Sequence, residues 1–189
     1  MLLHAHPKGE TATSARIDIP AIGADGSLFP MEKLEAHRIG QKHLAVSVFV
    51  FCGDSLLIQQ RAEGKYHCGG LWANTCCTHP NWRETPAACA ARRLREEVGL
   101  ELPLVERAVV EYRAGVTNGL VENERVHVFE GTLDRPLIPD AVDPDEVMAV
   151  RWVSREALAA EVARDPSRFT PWLRIYLDRW PELALRGAA

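Results

Sequence analysis

Between His43 and Phe51 the chain reads His-Leu-Ala-Val-Ser-Val-Phe-Val-Phe, almost wholly apolar and rich in valine. A strand with one wet face alternates apolar and polar residues. A run like this suits a strand buried on both faces, so the fold must supply a layer on each side of it. Gly53-Asp54 makes a turn after it, and Leu56 to Gln59 reads as the next strand.

The clearest helix follows Thr85, which can act as the N-cap, with Pro86 suited to the first helical position and Gly99 where a C-terminal stop belongs. Ala87, Ala91, Leu94 and Val98 form the stripe predicted to pack on a sheet, while Arg92/Glu96 and Arg93/Glu97 are four apart on other faces. Val109–Tyr112 and Val121–Phe129 read as strands around a turn at 115–119. A proline- and aspartate-rich connection (Pro136 to Asp145) precedes a strand at Val147–Val153, and helices are expected near Ser154–Ala163 and Pro171–Leu177. Residues 1–15 read as a flexible arm, and residues 16–30 as a short strand followed by a turn. Residues 16–189 then make one α/β (or α+β) domain, a mixed β-sheet sandwich flanked by helices.

A formal net charge of −4 argues against a general nucleic-acid binder but leaves room for a local basic pocket facing a phosphorylated ligand. No stretch approaches the roughly 20 apolar residues of a membrane span. Five cysteines (Cys52, Cys68, Cys76, Cys77 and Cys89) are odd in number and sparse. They read as thiols in a reducing, cytoplasmic setting.

Three segments carry chemistry. In Val121-Glu-Asn-Glu-Arg-Val-His-Val, a period of two puts Glu122 and Glu124 on the face of Val126 and Val128. Two acids on a partly buried face repel each other, and a divalent cation is the usual remedy; the alternative is a strand end protruding into water. Trp72-Ala-Asn-Thr-Cys-Cys-Thr-His79-Pro lacks helical or strand periodicity and reads as a loop lining a pocket. There His79 is a candidate metal ligand, and Cys76 and Cys77 are undecided between reactive thiols and small buried hydrophobes. Finally, Glu84 is followed after seven residues by Arg92-Arg-Leu-Arg-Glu-Glu-Val-Gly-Leu100.

That last spacing resembles the Nudix box, with two departures: Thr78 stands where its first glycine belongs, and Arg93 replaces the glutamate after Arg92. In Nudix hydrolases the acids of this helix hold magnesium on a diphosphate and activate water. An arginine among them adds a phosphate-binding group and removes part of the hydrolytic metal site. Together with Asn74-Thr-Cys-Cys-Thr-His-Pro80 and Val121-Glu-Asn-Glu124, the pattern from about Lys33 to Trp172 is similar to the type I isopentenyl-diphosphate isomerases, a Nudix branch that isomerises and does not hydrolyse.

The resemblance implies Cys77 as catalytic thiol and Glu124 as catalytic carboxylate, with Tyr112 and Trp172 beside the hydrocarbon and the proton-transfer site. His37, His43, His79, Glu122 and Glu124 would hold a first divalent metal (zinc, manganese or magnesium). Glu97 would help bind a magnesium ion that arrives with the substrate diphosphate. Lys33, Arg61, Lys65 and Arg93 would receive phosphate oxygens. The implied partner is a small C5 diphosphate, with no nucleic acid or membrane and a monomer or homodimer as the assembly. Cys68-Gly69-Gly70 stands where the family often has an aromatic residue and Pro-Gly, so this loop is expected to differ locally. Two other classes stay in view: a Nudix hydrolase, favoured by Glu84, Glu96 and Glu97, and a non-enzymatic module that binds metal or phosphate.

Overall fold

The computed structural model describes residues 16–137, 139 and 142–186, so the N-terminal arm expected over residues 1–15 lies outside the described residues. The apolar run is β3 (His43–Cys52), and it organises the fold. It pairs in parallel with β8 (Val121–Thr132) from His43 to Phe51, and antiparallel with β6 (Cys76–Thr78) through Val46–Val48 and with β4 (Ser55–Arg61) through Val50–Cys52. β4 pairs in turn with β5 (Trp72–Ala73) and β9 (Val147–Ser154), and β8 pairs with β7 (Val105–Gly115). An antiparallel hairpin of β1 (Asp18–Ile22) and β2 (Leu28–Glu32) attaches to the start of β3 through Ala21 and His43. The sheet is mixed, as its sequence pattern predicts, because the β3/β8 pair is parallel.

Both faces of β3 are covered. Val46, Val48 and Val50 pack with Cys76, Leu94 and Val98 beneath α2 (Pro86–Val98). Ala45, Phe49 and Phe51 pack with Leu158 of α3 (Arg155–Arg164) and with Leu173 and Tyr176 of α4 (Pro171–Asp178). Among the described residues no helix is long and apolar enough to cross a membrane.

Helix α2 begins and ends as expected: the Thr85 hydroxyl accepts from the Ala88 amide, and Gly99 closes the helix at φ 72°. Its buried face is different. Ala87 and Ala91 are exposed, and the inward stripe is Cys89, Ala90, Leu94, Glu97 and Val98. The apolar pattern misled because the inner face carries a carboxylate, Glu97, which is 3% exposed and turned towards a pocket. Leu94 is the apolar centre of this face, so Leu94→Ala is expected to lower unfolding free energy by about 2–5 kcal/mol in urea denaturation. A loss below about 1 kcal/mol would mean that α2 is not tightly packed on β3.

Three other expectations are corrected, and one helix had no expectation at all. Residues 16–30 form a hairpin whose turn lies at Gly23–Ser27, ahead of Leu28-Phe29-Pro30, because the Gly23 amide bonds the Ser27 carbonyl. A short helix, α1 (Lys33–Ile39), follows it, N-capped by the Glu32 carboxylate; glutamate is an uncommon cap, and no apolar periodicity marked the helix. The segment expected as a loop from Trp72 to Pro80 contains β5 and β6, too short for a period to show. β7 runs well beyond Val109–Tyr112 at both ends, since its outer face is exposed and its composition polar.

Candidate active site

Strand register builds the site. Period two on β3 turns His43 and Ser47 to one face. Parallel pairing sets Glu124 opposite His43, antiparallel pairing sets Cys77 opposite Ser47, and β7 sets Tyr112 opposite Glu124. The same period separates the two adjacent cysteines. Cys76 faces α2 and is fully buried among valines, whereas Cys77 faces the pocket. Glu122 and Glu124 are 2% and 5% exposed on the face of Val126 and Val128, so the protruding-strand alternative is excluded.

His37, His43, His79, Glu122 and Glu124 converge, each offering a ligand atom, with these atoms within 4.8 Å of one another. His37 Nδ1 donates to the Lys33 carbonyl at 2.6 Å and His43 Nδ1 to the Gln41 carbonyl at 2.7 Å, which leaves each Nε2 a lone pair facing the cluster. His37 Nε2 is 3.3 Å from Glu122 Oε2, an oxygen buried without a hydrogen-bond partner, and His43 Nε2 is 3.2 Å from His79 Nε2. Electron pairs meeting like this need a proton or a cation between them. Three imidazoles and two carboxylates suit a divalent metal, and the residues therefore fit one.

Protonation within the cluster is pulled both ways. Burial opposes ionisation of Glu124, but the polar surroundings supplied by Glu122, His43 and the Tyr112 hydroxyl outweigh it and hold its pKa down at about 2. Burial, with Lys33, His37 and His43 nearby, pushes His79 well below the usual imidazole range and keeps it neutral, as a metal ligand must be. The Tyr112 hydroxyl donates to Glu124 Oε2 at 2.5 Å, and His79 Nε2 lies 2.9 Å from Glu124 Oε1.

Cys77 lies outside the five. Its thiol donates to Asn74 Oδ1 at 2.7 Å and lies 3.5 Å from the Ser47 hydroxyl, which bonds Tyr176 at 2.8 Å. Burial pushes its pKa up to about 12, so the sulfur is a neutral thiol. Trp172, 3% exposed, lines the same pocket, with the Arg61 guanidinium 5.3 Å from its ring centroid.

The four predicted phosphate-binding cations, Lys33, Arg61, Lys65 and Arg93, also line this pocket. Glu97 lines it too but stands apart from the five-residue cluster. Its Oε1 accepts from Arg93 Nη2 at 2.6 Å and its Oε2 from Gln59 at 3.2 Å. The other box acids face away: Glu84 is gripped by two nitrogens of Arg92, and Glu96 is shared by Arg92 and Arg93.

Several pocket groups escaped the sequence. His67 Nε2 lies 3.0 Å from Glu122 Oε1, and the Tyr66 ring meets His67 edge to face. Their loop is pinned by two bonds from the turn at 117–119: the Cys68 amide to Thr117 Oγ1 and Asn118 Nδ2 to the Tyr66 carbonyl, both 2.8 Å. Cys68 sits at φ 52°, and a Cβ on Gly69 would stand 2.4 Å from the Glu63 carbonyl, so a glycine is required there. Ser47 had a signal, being the one hydroxyl in an apolar strand. Asn74 lay inside a quoted motif without a role of its own. Glu146, paired with Lys65 and Arg93, had none.

The NUDIX domain family matches residues 41–173. The isopentenyl-diphosphate Delta-isomerase of Cereibacter sphaeroides is 58% identical over 156 residues, covering 81% of this chain and 86% of that protein. The enzyme of the same name from Rhodobacter capsulatus is 52% identical over 162 residues, 85% of this chain and 91% of that one. Among solved structures, a Deinococcus radiodurans protein superposes with a TM-score of 0.69 at 18% identity, covering 86% of this chain and 98% of that one. The MutT protein of Methanosarcina mazei gives 0.58 at 17%, covering 74% and 92%. At such low identity these two speak for the fold alone.

Proposed function

Because the chain belongs to the isopentenyl-diphosphate Delta-isomerase family of NUDIX-domain proteins, we propose that Cys77 and Glu124 are the proton-transfer groups of its reaction. The enzyme interconverts isopentenyl and dimethylallyl diphosphate by adding a proton at the terminal alkene carbon, which leaves a tertiary carbocation, and removing one from the chain methylene on the other side of that cationic carbon. An alkene is a very weak base. The reaction needs an acid, a base and a site closed to water.

One observation carries the assignment. A neutral, partly buried thiol and a carboxylate bonded to a partly buried phenol line one pocket that four cations also line. Cys77, held as a thiol by burial and oriented by Asn74, has a proton to give. Glu124, ionised and held by the Tyr112 hydroxyl, has a place to receive one. The reverse direction exchanges the two roles. Trp172 offers its ring to the cationic carbon, an attraction of roughly 2 kcal/mol when desolvated. His37, His43, His79, Glu122 and Glu124 would hold one divalent metal, zinc, manganese or magnesium. When bound it would make the protonated form of Glu124 more acidic. Glu97 would contribute to a magnesium ion accompanying the diphosphate.

Lys33, Arg61, Lys65 and Arg93 receive the phosphate oxygens in this reading. Burial, reinforced by Lys65 and Arg93, lowers the Lys33 pKa to about 8. Lys33 is therefore a cation below pH 8 and neutral above it, and kcat/KM is expected to fall as pH rises through 8 while kcat holds. In Lys33→Arg, whose charge persists, that limb should disappear. If it survives unchanged, the titrating group is another one.

Incubation of the metal-loaded protein with isopentenyl diphosphate in deuterated water tests the whole reading. Deuterium-labelled dimethylallyl diphosphate should form without phosphate release. Phosphate release from a nucleotide panel, with no C5 interconversion, would select a hydrolase. The outward-facing Glu84 and Glu96 speak against that outcome.

A further inference from the structure

At the basic end of the pocket stands a carboxylate that neither proton transfer nor the metal cluster uses. Glu146 Oε2 is in close ion-pair contact with Lys65 Nζ, and Glu146 Oε1 lies 2.9 Å from Arg93 Nη2. Its two oxygens thus occupy two of the four cations that line the pocket, much as two phosphate oxygens would. We propose that Glu146 is an internal stand-in for the diphosphate, which the substrate must displace from Lys65 and Arg93 on binding, so that this residue sets substrate affinity. The proposal rests on the assignment of the basic end of the pocket to the diphosphate.

Two features mark the carboxylate as displaceable. Its backbone needs no help from the side chain: the Glu146 carbonyl accepts from the Ala62 amide at 2.9 Å, its amide donates to Asp143 at 3.0 Å, and the Asp143 amide bonds the Glu97 carbonyl at 3.1 Å. The side chain keeps 21% of its surface in solvent, so it has water to move into. By contrast the Glu97 carboxylate, Arg93's other inward partner, is 4% exposed and also held by Gln59. When Glu146 leaves, two half-buried cations lose a counter-charge, and an anion that replaces it recovers what was lost. With the carboxylate removed, Lys65 loses this counter-charge and Arg93 keeps only Glu96 and Glu97, so the incoming anion has no Glu146 ion pair to break.

Calorimetric titration with inorganic pyrophosphate, with and without added magnesium, separates the possibilities. Glu146→Gln is expected to bind pyrophosphate about fivefold to tenfold more tightly than the unaltered protein, and to show a matching fall in KM for the C5 diphosphate. Glu146→Asp, which keeps the charge but is too short to bridge both cations, should fall between them and guards against a folding defect in the first variant. Equal or weaker pyrophosphate binding by Glu146→Gln, in either condition, overturns the proposal; weakening confined to magnesium would make Glu146 a metal ligand. Lys65→Met serves as the reference for the underlying assignment. If it binds pyrophosphate as well as the unaltered protein, the basic end is not the phosphate site and both inferences fall. If it binds more weakly, a negative Glu146 result defeats this proposal alone.

Discussion

Cys77→Ala is expected to lower turnover by about 10³-fold or more while leaving the fold and the metal content of the purified protein unchanged. The thiol is not among the five clustered ligands, so removing it takes nothing from the metal. Cys77 is joined to β3 through main-chain pairing opposite Ser47, which alanine preserves. What alanine does remove is the donor to Asn74 Oδ1, and an acceptor left without it in a buried position costs about 1–3 kcal/mol. Cys77→Ser separates that cost from catalysis. A serine hydroxyl restores the bond to Asn74 and with it the melting temperature, but it is a far weaker acid and should not restore turnover. Three measurements check this: dimethylallyl diphosphate formation, thermal unfolding and elemental analysis of the metal. An active Cys77→Ala protein would remove Cys77 from the proton path altogether.

How much of this site a reader of the sequence could find depends on the length of the elements that carry it. β8 is long enough for alternation to show, and Val-Glu-Asn-Glu gave the strand and put both acids on one face, while their burial had to await the structure. β3 announced its own double burial. β6 has only three residues, so no period could assign Cys76 to the core and Cys77 to the pocket; family resemblance singled out Cys77 alone, and pairing with Ser47 and Val48 separates the two. On α2 the ends were legible from Thr85 and Gly99, but the face was misjudged. A buried glutamate looks like a surface residue until its partners, Arg93 and Gln59, are seen around it. Glu146 and His67 were invisible for a related reason. Each sits in an irregular connection, and the groups that give it meaning, Lys65 and Arg93 for one and Glu122 for the other, are distant in sequence.

Glu124 carries more than one duty, and Glu124→Gln is expected to damage each of them by a different amount. The amide is nearly isosteric and can still accept from the Tyr112 hydroxyl, so packing should survive, as shown by an unchanged circular dichroism spectrum. It offers no negative charge to the cluster, where His43, His79 and Glu122 crowd within 4.8 Å, and metal affinity should fall by about tenfold or more. It also cannot take up a proton near neutrality, so turnover should fall by about 10³-fold or more. These losses come apart under excess metal. Raising the free metal concentration restores occupancy by mass action, and the proton-accepting oxygen is still missing, so turnover should stay low at full occupancy. Glu122→Gln provides the contrast. Glu122 faces His37 and His67 and not the Tyr112 hydroxyl, so its variant should lose metal affinity comparably and recover most of its turnover when metal is supplied. If Glu124→Gln also recovers under excess metal, Glu124 is a ligand only, and the base must be sought elsewhere in the pocket. If its metal affinity is unchanged from the start, Glu124 is not a ligand, and the cluster is held by the three histidines and Glu122.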